Sequence, residues 1–285
     1  METPEQPGMK VSLQKRLNLP GGHAELIFDA VFTPEKSTAL YGPSGAGKTS
    51  VLRMIAGLIQ PEKGYIEVNG EVWLDTEKNI HLPPQKRSVG FVFQDFGLFP
   101  NMTVEENVRF GSDDDDLIRR LLLLSGLSDF SKSKPFTLSG GQRQRLALIR
   151  ALARKPKVLL MDEPLSAQDV AQRRILWTEI GTLLQETKPV TILVSHDEAE
   201  IRALGNYVIG LEEGRVSASG TPGDFFGTQS ASDTWYLWGI VREIQQEGDR
   251  FRIIVGSGDD TFVLITKDTG DLKAGAEIQF KRTVI

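Results

Sequence analysis

The segment Gly42-Pro43-Ser44-Gly45-Ala46-Gly47-Lys48-Thr49-Ser50 constrains this chain more than any other. It fits the pattern G-x-x-x-x-G-K-[ST], with the β-prone run Thr38–Tyr41 before it. After it, Thr49–Leu58 reads as a helix with Val51, Leu52, Ile55 and Leu58 on one face, stopped by Gly57 and Pro61. Glycines let the backbone turn tightly and approach an anion with no Cβ in the way. Successive N–H groups, together with a helix N-terminus, then hold phosphate oxygens. Lys48 adds a full positive charge for the outer phosphates, and Thr49 offers a hydroxyl to Mg²⁺. The bland alternative is a glycine-rich turn with no ligand.

Composition narrows the setting. A chain of 285 residues suggests one large domain, or one large and one small. Hydrophobic residues at 40% and charged residues at 25% match an ordinary globular protein. A net charge of -5 does not advertise a nucleic-acid partner, and none is expected. The absence of cysteine excludes disulfides and cysteine zinc sites, and His23, His81 and His196 are too few for a multi-histidine centre. No apolar run reaches the ~18 residues a membrane span needs. The first twenty residues carry prolines and charges in place of an apolar signal core. Work at a membrane is therefore expected from the side, through a partner.

Along the chain, Met1–Gly8 is expected to fray. Lys10–Leu17 and Ala24–Phe32 read as strands, the second alternating poorly as if covered on both faces. Asn69-Gly70 marks a hairpin between Tyr65–Val68 and Glu71–Leu74, and Val89–Phe93 reads as another strand. The texture turns helical from Pro100 to Phe136, with a capping box at Thr103 and Glu106 and a leucine-rich helix over Leu117–Leu124. The acid run Asp113–Asp116 reads as a solvated helix start, and lacks the spaced ligands and glycine of a metal loop. Helices at Gln142–Arg154, Val170–Glu186 and Glu198–Leu204 then alternate with strands at Val158–Met161, Val190–Ser195 and Tyr207–Leu211. This pattern predicts an α/β fold with a largely parallel sheet and helices on both faces. Asp224–Asp233 reads as a linker, and Trp235–Ile285, with short β-prone runs, as a small barrel.

Four further constellations carry chemistry. Val158-Leu159-Leu160-Met161-Asp162-Glu163-Pro164 is an apolar strand ending in two acids, at the strand end where such sheets bind ligands. Asp162 suits the Mg²⁺ shell, and Glu163 can orient or deprotonate a water. Leu138-Ser139-Gly140-Gly141-Gln142 opens a helix with a hydroxyl and bare N–H groups, an anion site with no acid or base of its own. In isolation it reads as well as a capped helix start. Gln94 follows a strand and is otherwise a surface glutamine; His196 follows another and is otherwise a structural histidine.

Taken in order, phosphate loop, Gln94, LSGGQRQR, apolar run with Asp162-Glu163, then His196, the chain resembles the ATP-binding cassette (ABC) ATPases from about Lys10 to Phe226. The resemblance implies a P-loop cassette over residues 1–229, with a helical subdomain at about 95–156. Residues 230–285 then resemble a small β-barrel-like module of the TOBE type, which is alternatively structural or dimer-forming. It implies ATP and Mg²⁺, with Thr49, Gln94 and Asp162 at the metal. A head-to-tail homodimer is implied, in which LSGGQ of one copy covers the nucleotide of the other. Glu163 would be the base or water-positioning residue, His196 a γ-phosphate contact, and Gln94 the lid residue facing a membrane partner.

The stretch LPPQKRSVGFVFQDFGLFP and the phrase MDEPLS look most like importer ATPases, nearest the molybdate/tungstate oxyanion group. That implies permease subunits, indirectly a substrate-binding protein, and a peripheral place on the cytoplasmic face of the plasma membrane. Sulfate, iron, polyamine or sugar importers remain alternatives, and a non-transport ABC ATPase is a more distant one. Phe96–Phe110 is apolar enough to meet a permease helix, with Phe99 as the test position or as plain core. Two departures stand out. Gln168 precedes Asp169 where the family usually has leucine, and Leu17 to His23 offers no aromatic ring for adenine other than the imidazole of His23.

Overall fold

Met9–Leu19 (β1) and Gly22–Phe32 (β2) pair antiparallel along their whole length. In β2, Leu26, Phe28 and Phe32 are buried while Val31 is 63% exposed. The expectation that this strand is covered on both faces is therefore wrong; it alternates with period two and buries one face. The computed structural model describes residues 8–19, 22–34, 36–164, 181, 184, 187–227, 234–247, 250–257, 260–266, 272–273 and 277–283. The expected fraying of residues 1–7, most of the helix expected at 170–186 and the Gln168-Asp169 departure lie outside them. Two compact units divide the chain, Met1–Gly227 and Thr228–Ile285.

The first unit continues with Ser37–Tyr41 (β3), Lys63–Val68 (β4), Glu71–Asp75 (β5), Ile80–His81 (β6) and Val89–Val92 (β7). Val158–Asp162 (β8), Val190–Val194 (β9), Tyr207–Glu212 (β10) and Arg215–Gly220 (β11) complete its strands. They form one sheet in the order β6-β5-β4-β1-β2-β11-β10-β3-β9-β8-β7. Only β10-β3-β9-β8-β7 is a continuous parallel block. From β6 to β2 every pairing is antiparallel. The largely parallel sheet expected is thus half right. Tight hairpins impose antiparallel pairing, and only segments joined by a long crossover can lie parallel. The Asn69-Gly70 hairpin behaves as expected, with φ of 48° and 80° at its two central residues.

Helices Lys48–Ala56 (α1), Val104–Arg109 (α2), Asp115–Leu124 (α3), Gly140–Ala153 (α4), Glu198–Leu204 (α5) and Pro222–Phe226 (α6) cover the sheet. Neighbouring residues of one strand feed two separate cores. Ala39, Leu159, Met161 and Leu193 pack with α2, α3 and α4, whereas Leu40, Val158, Leu160 and Ile192 pack with α1. Gly57 caps α1 in the left-handed region, so Leu58 falls beyond the helix and is half exposed, off the face expected for it. The Thr103/Glu106 capping box is present. Asp114 caps α3, and Asp115 and Asp116 occupy its first turn, so the acid run is a helix start. Phe99 is engaged in packing: its ring lies 4.6 Å from that of Phe110 and its backbone bonds Asn107.

β11 and α6 were not foreseen. α6 takes up the start of the expected linker, and Phe225 and Phe226 set their rings edge-on to Tyr41, 5.8 and 5.1 Å away. In the second unit, Thr234–Glu247 (β12), Arg250–Ser257 (β13), Asp260–Thr266 (β14) and Glu277–Thr283 (β15) form an antiparallel sheet of order β14-β13-β12-β15. Val241, Ile253 and Val255 are its buried core.

Candidate functional site

The loop Gly42–Ser50 runs from the end of β3 into α1, and two of its glycines are sterically obligatory. Gly42 has φ 148°, and a Cβ there would stand 2.0 Å from the Leu211 carbonyl oxygen. Gly47 has φ 101°, and its Cβ would meet Leu26 Cδ1 at 2.9 Å. Pro43 O accepts the Ala46 N–H, closing the turn. α1 opens at Gly47 with no side-chain cap, so its first N–H groups have no partner of that kind. Lys48 is buried and folds back, Nζ donating to Gly42 O at 2.7 Å and to Pro43 O at 2.8 Å. Burial lowers the pKa of Lys48, against the opposing pull of Glu163 and Asp162.

Asp162 ends β8, which β7 and β9 flank, and is buried. Its Oδ1 accepts from Thr49 Oγ1 at 2.9 Å. Burial raises its pKa, with the Thr49 hydrogen bond and the charge of Arg53 working the other way. Glu163 follows with φ 47°, in the region non-glycine residues seldom adopt, and its N–H donates to Val194 O at 3.0 Å. Gln94 Nε2 donates to Glu163 Oε2 at 3.2 Å, and His196 Nδ1 lies 3.6 Å from Glu163 Oε1. Three strand ends thus bring Gln94, Glu163 and His196 together.

A cleft of about 450 Å³ results, lined by Ser44, Gly45, Gly47, Lys48, Thr49 and Ser50 of the loop and by Leu17, Gln94 and Glu163. Leu17 is the wall beside the glycine loop; the side chain of His23 lies outside the described residues. No residue of Ser139–Gln142 lines this cleft. Ser139 instead caps α4 reciprocally with Gln142, its Oγ accepting the Gln142 N–H at 3.3 Å while Gln142 Oε1 accepts the Ser139 N–H at 2.9 Å. Ser139 is exposed, and Gly141 is buried.

The sequence reading missed two buried arginines. Arg87 donates to Met54 O at 3.0 Å and Ile55 O at 2.6 Å at the far end of α1, and to Leu82 O at 2.8 Å. Burial pushes its pKa down to about 10. Arg150 on α4 reaches Phe96 and Gly97, just beyond Gln94. Gly57 was a signal for the first: a Cβ there would stand 2.9 Å from the Arg87 guanidinium.

The cleft combines an anion-holding loop, a cation, a hydroxyl–carboxylate pair suited to a hard metal ion, and a second carboxylate beside an amide and an imidazole. Among the described residues no helix is long and apolar enough to cross a membrane.

Residues 29–166 match the family described as ABC transporter. The molybdenum import ATP-binding protein ModC of Mesorhizobium japonicum is 45% identical over 192 residues, 64% of this chain and 51% of that protein. ModC of Pasteurella multocida is 39% identical over 212 residues, 74% of this chain and 59% of its own. The trehalose/maltose import ATP-binding protein MalK of Thermococcus litoralis is 40% identical over 195 residues, 66% of this chain and 52% of its own. The chain thus spans about half the length of the curated relatives it matches. Among solved structures, a dimeric ATP-binding cassette in a post-hydrolysis state, bound to ADP and Pi, aligns with TM-score 0.63 and 28% identity. The alignment covers 75% of this chain and 98% of that one. Family match, fold and cleft agree: residues 29–166 carry a domain of the ABC transporter family.

Proposed function

We propose that this chain binds MgATP, hydrolyses it as a head-to-tail homodimer, and drives import of an oxyanion, molybdate or tungstate, through a permease. The observation that carries the reading is the division of labour in the fold. Lys48, Thr49, Asp162, Gln94, Glu163 and His196 converge on one cleft, while the helix N-terminus at Ser139 is exposed outside it. An anion site with no catalytic group of its own is complete only against the nucleotide of a second copy. Ser139, Gly140, Gly141 and Gln142 of one copy then cover the phosphates held by the other.

Within one cleft, Gly42 to Ser50 wrap the phosphates and Lys48 exchanges its two loop carbonyls for the outer ones. Thr49 and Asp162, with Gln94 near them, would hold Mg²⁺, since Mg²⁺ favours one or two carboxylates completed by phosphates. When bound it neutralises developing phosphate charge. Glu163 accepts the proton of the attacking water, held in place by the Gln94 amide, and His196 meets the γ-phosphate. Leu17 supplies an apolar wall for the base.

The import reading is supported by the ModC likeness; the MalK likeness makes sugar import the competing outcome. Permease subunits, with a substrate-binding protein beyond them, place the chain at the cytoplasmic face of the plasma membrane. Residues 230–285 act as a TOBE-like module. Proteoliposomes holding the permease, binding protein and this chain test it. ATP-dependent uptake of labelled molybdate that excess maltose does not suppress is expected. Uptake of maltose alone would replace the oxyanion assignment.

A further inference from the structure

We propose that Arg150 is the positioning residue for Gln94, tying the helix that opens at Ser139 to the hydrolytic end of the cleft. This rests on the ATP-hydrolysis reading. Arg150 sits on α4, eleven residues after Ser139, about 16 Å along the helix at 1.5 Å per residue. Its side chain is buried, and among the described residues its partners are two carbonyls and a ring rather than a carboxylate. Nη1 donates to Gly97 O at 2.6 Å and Nη2 to Phe96 O at 3.2 Å, while the guanidinium lies 5.1 Å from the Phe99 ring centre. A buried cation without a counter-charge is a poor way to stabilise a fold, since an apolar side chain of similar volume often does as well. Its specific effect is on the segment it grips.

That segment is strained and carries Gln94. Phe96 has φ 65° and Gly97 φ 52°, so two successive residues occupy the left-handed region, one of them bulky. The Phe96 N–H donates to Phe93 O at 2.9 Å, closing a turn with Gln94 as its second residue. From there Gln94 reaches Glu163. α4 touches this turn a second time, through Arg143, whose guanidinium lies 6.0 Å from the Phe96 ring. The helix is also locked to the strand leading into the turn. A Cβ on Gly90 of β7 would stand 2.9 Å from Ala151 O, one residue beyond Arg150, so only glycine permits this approach. Helix, strand and turn form one piece, and Arg150 sets its last joint. Without the two hydrogen bonds the turn relaxes and the Gln94 amide leaves Glu163, while the phosphate loop on β3 and α1 is untouched.

Arg150→Met keeps the stem and much of the volume, and Arg150→Lys keeps the charge without the planar two-donor fork. Each is measured in the full chain, alone and combined with Gln94→Ala. Arg150→Met is expected to lower ATP turnover about tenfold to a hundredfold, the scale of misplacing a reacting group by an ångström. Its affinity for ATP should stay within about twofold of native, the tolerance for independent sites. Arg150→Lys recovers only part of the rate. In the Gln94→Ala background, Arg150→Met should cost less than about twofold more, since its effect passes through Gln94. Multiplicative losses in the double variant, or native turnover in Arg150→Met, overturn the proposal. Should Arg150→Met fold poorly, the same cycle on Arg150→Lys decides by the same criterion. A native chain that binds but never hydrolyses ATP defeats the hydrolysis reading, and this assignment with it.

Discussion

Arg87→Ala tests how α1, the helix that follows the glycine loop, is secured. The guanidinium is buried and donates to Leu82 O, Met54 O and Ile55 O, with a long 3.5 Å contact to Trp73 O. Two of these acceptors keep another donor after truncation: Met54 O has the Gly57 N–H and Trp73 O the Leu82 N–H. That leaves two carbonyls, Ile55 O and Leu82 O, stripped of the arginine. A buried polar group deprived of its partner costs about 1–3 kcal/mol, so the pair costs roughly 2–6 kcal/mol. Removing an unfavourably buried charge offsets some of this, and losing the dipole contact at the C-terminal end of α1 adds to it. A net loss of about 4 kcal/mol lowers Tm by roughly 8–16 °C for a unit of this size. Arg87→Lys, a point charge without the fork, should fall between native and alanine. Thermal unfolding followed by circular dichroism reads both variants. A Tm for Arg87→Ala within about 3 °C of native would refute the reasoning, because it would correspond to less than about 1.5 kcal/mol.

Lys48→Ala should weaken ATP binding and hydrolysis together if, as proposed, the lysine supplies the charge facing the outer phosphates; unchanged affinity by calorimetric titration contradicts that role. Ser139→Arg should leave ATP binding to the isolated copy intact while abolishing dimerisation and turnover, and an equal collapse of monomer affinity would mean that Ser139 acts on its own cleft. Burial raises the pKa of Asp162 above its unfolded value, so the native state holds that proton more tightly. Between those two pKa values stability falls as pH rises, and above them the buried charge is a standing cost. Asp162→Asn keeps an acceptor for Thr49, so at neutral pH without nucleotide it should melt higher than native while losing hydrolysis; a lower melting point would contradict this.

Local chemistry made part of this molecule legible. Asn69-Gly70, the Thr103/Glu106 box and the glycine loop each owe their geometry to residues a few positions apart, and each formed where the sequence put it. The antiparallel half of the sheet was not legible, because β1 lies between β4 and β2, and that order depends on pairing across long stretches of chain. Gln94 and Glu163 could be proposed separately, but their contact spans 69 residues of sequence. Arg87 and Arg150 look like surface charges in a list of residues. What betrays them is the carbonyls they face and the glycines that give them room, and Gly57 had a plain second explanation as a helix stop.

The central claim is that Glu163 performs hydrolysis in a cleft completed by a second copy. Glu163→Gln preserves shape and hydrogen bonding but cannot take the proton of the attacking water, a role worth about 10²–10⁴ in rate. Size-exclusion chromatography of this variant with MgATP, beside its turnover, is the most direct measurement. The account predicts a stable ATP-bound dimer with turnover nearly abolished. A variant that turns over at the native rate, or that binds ATP and remains monomeric, would contradict it.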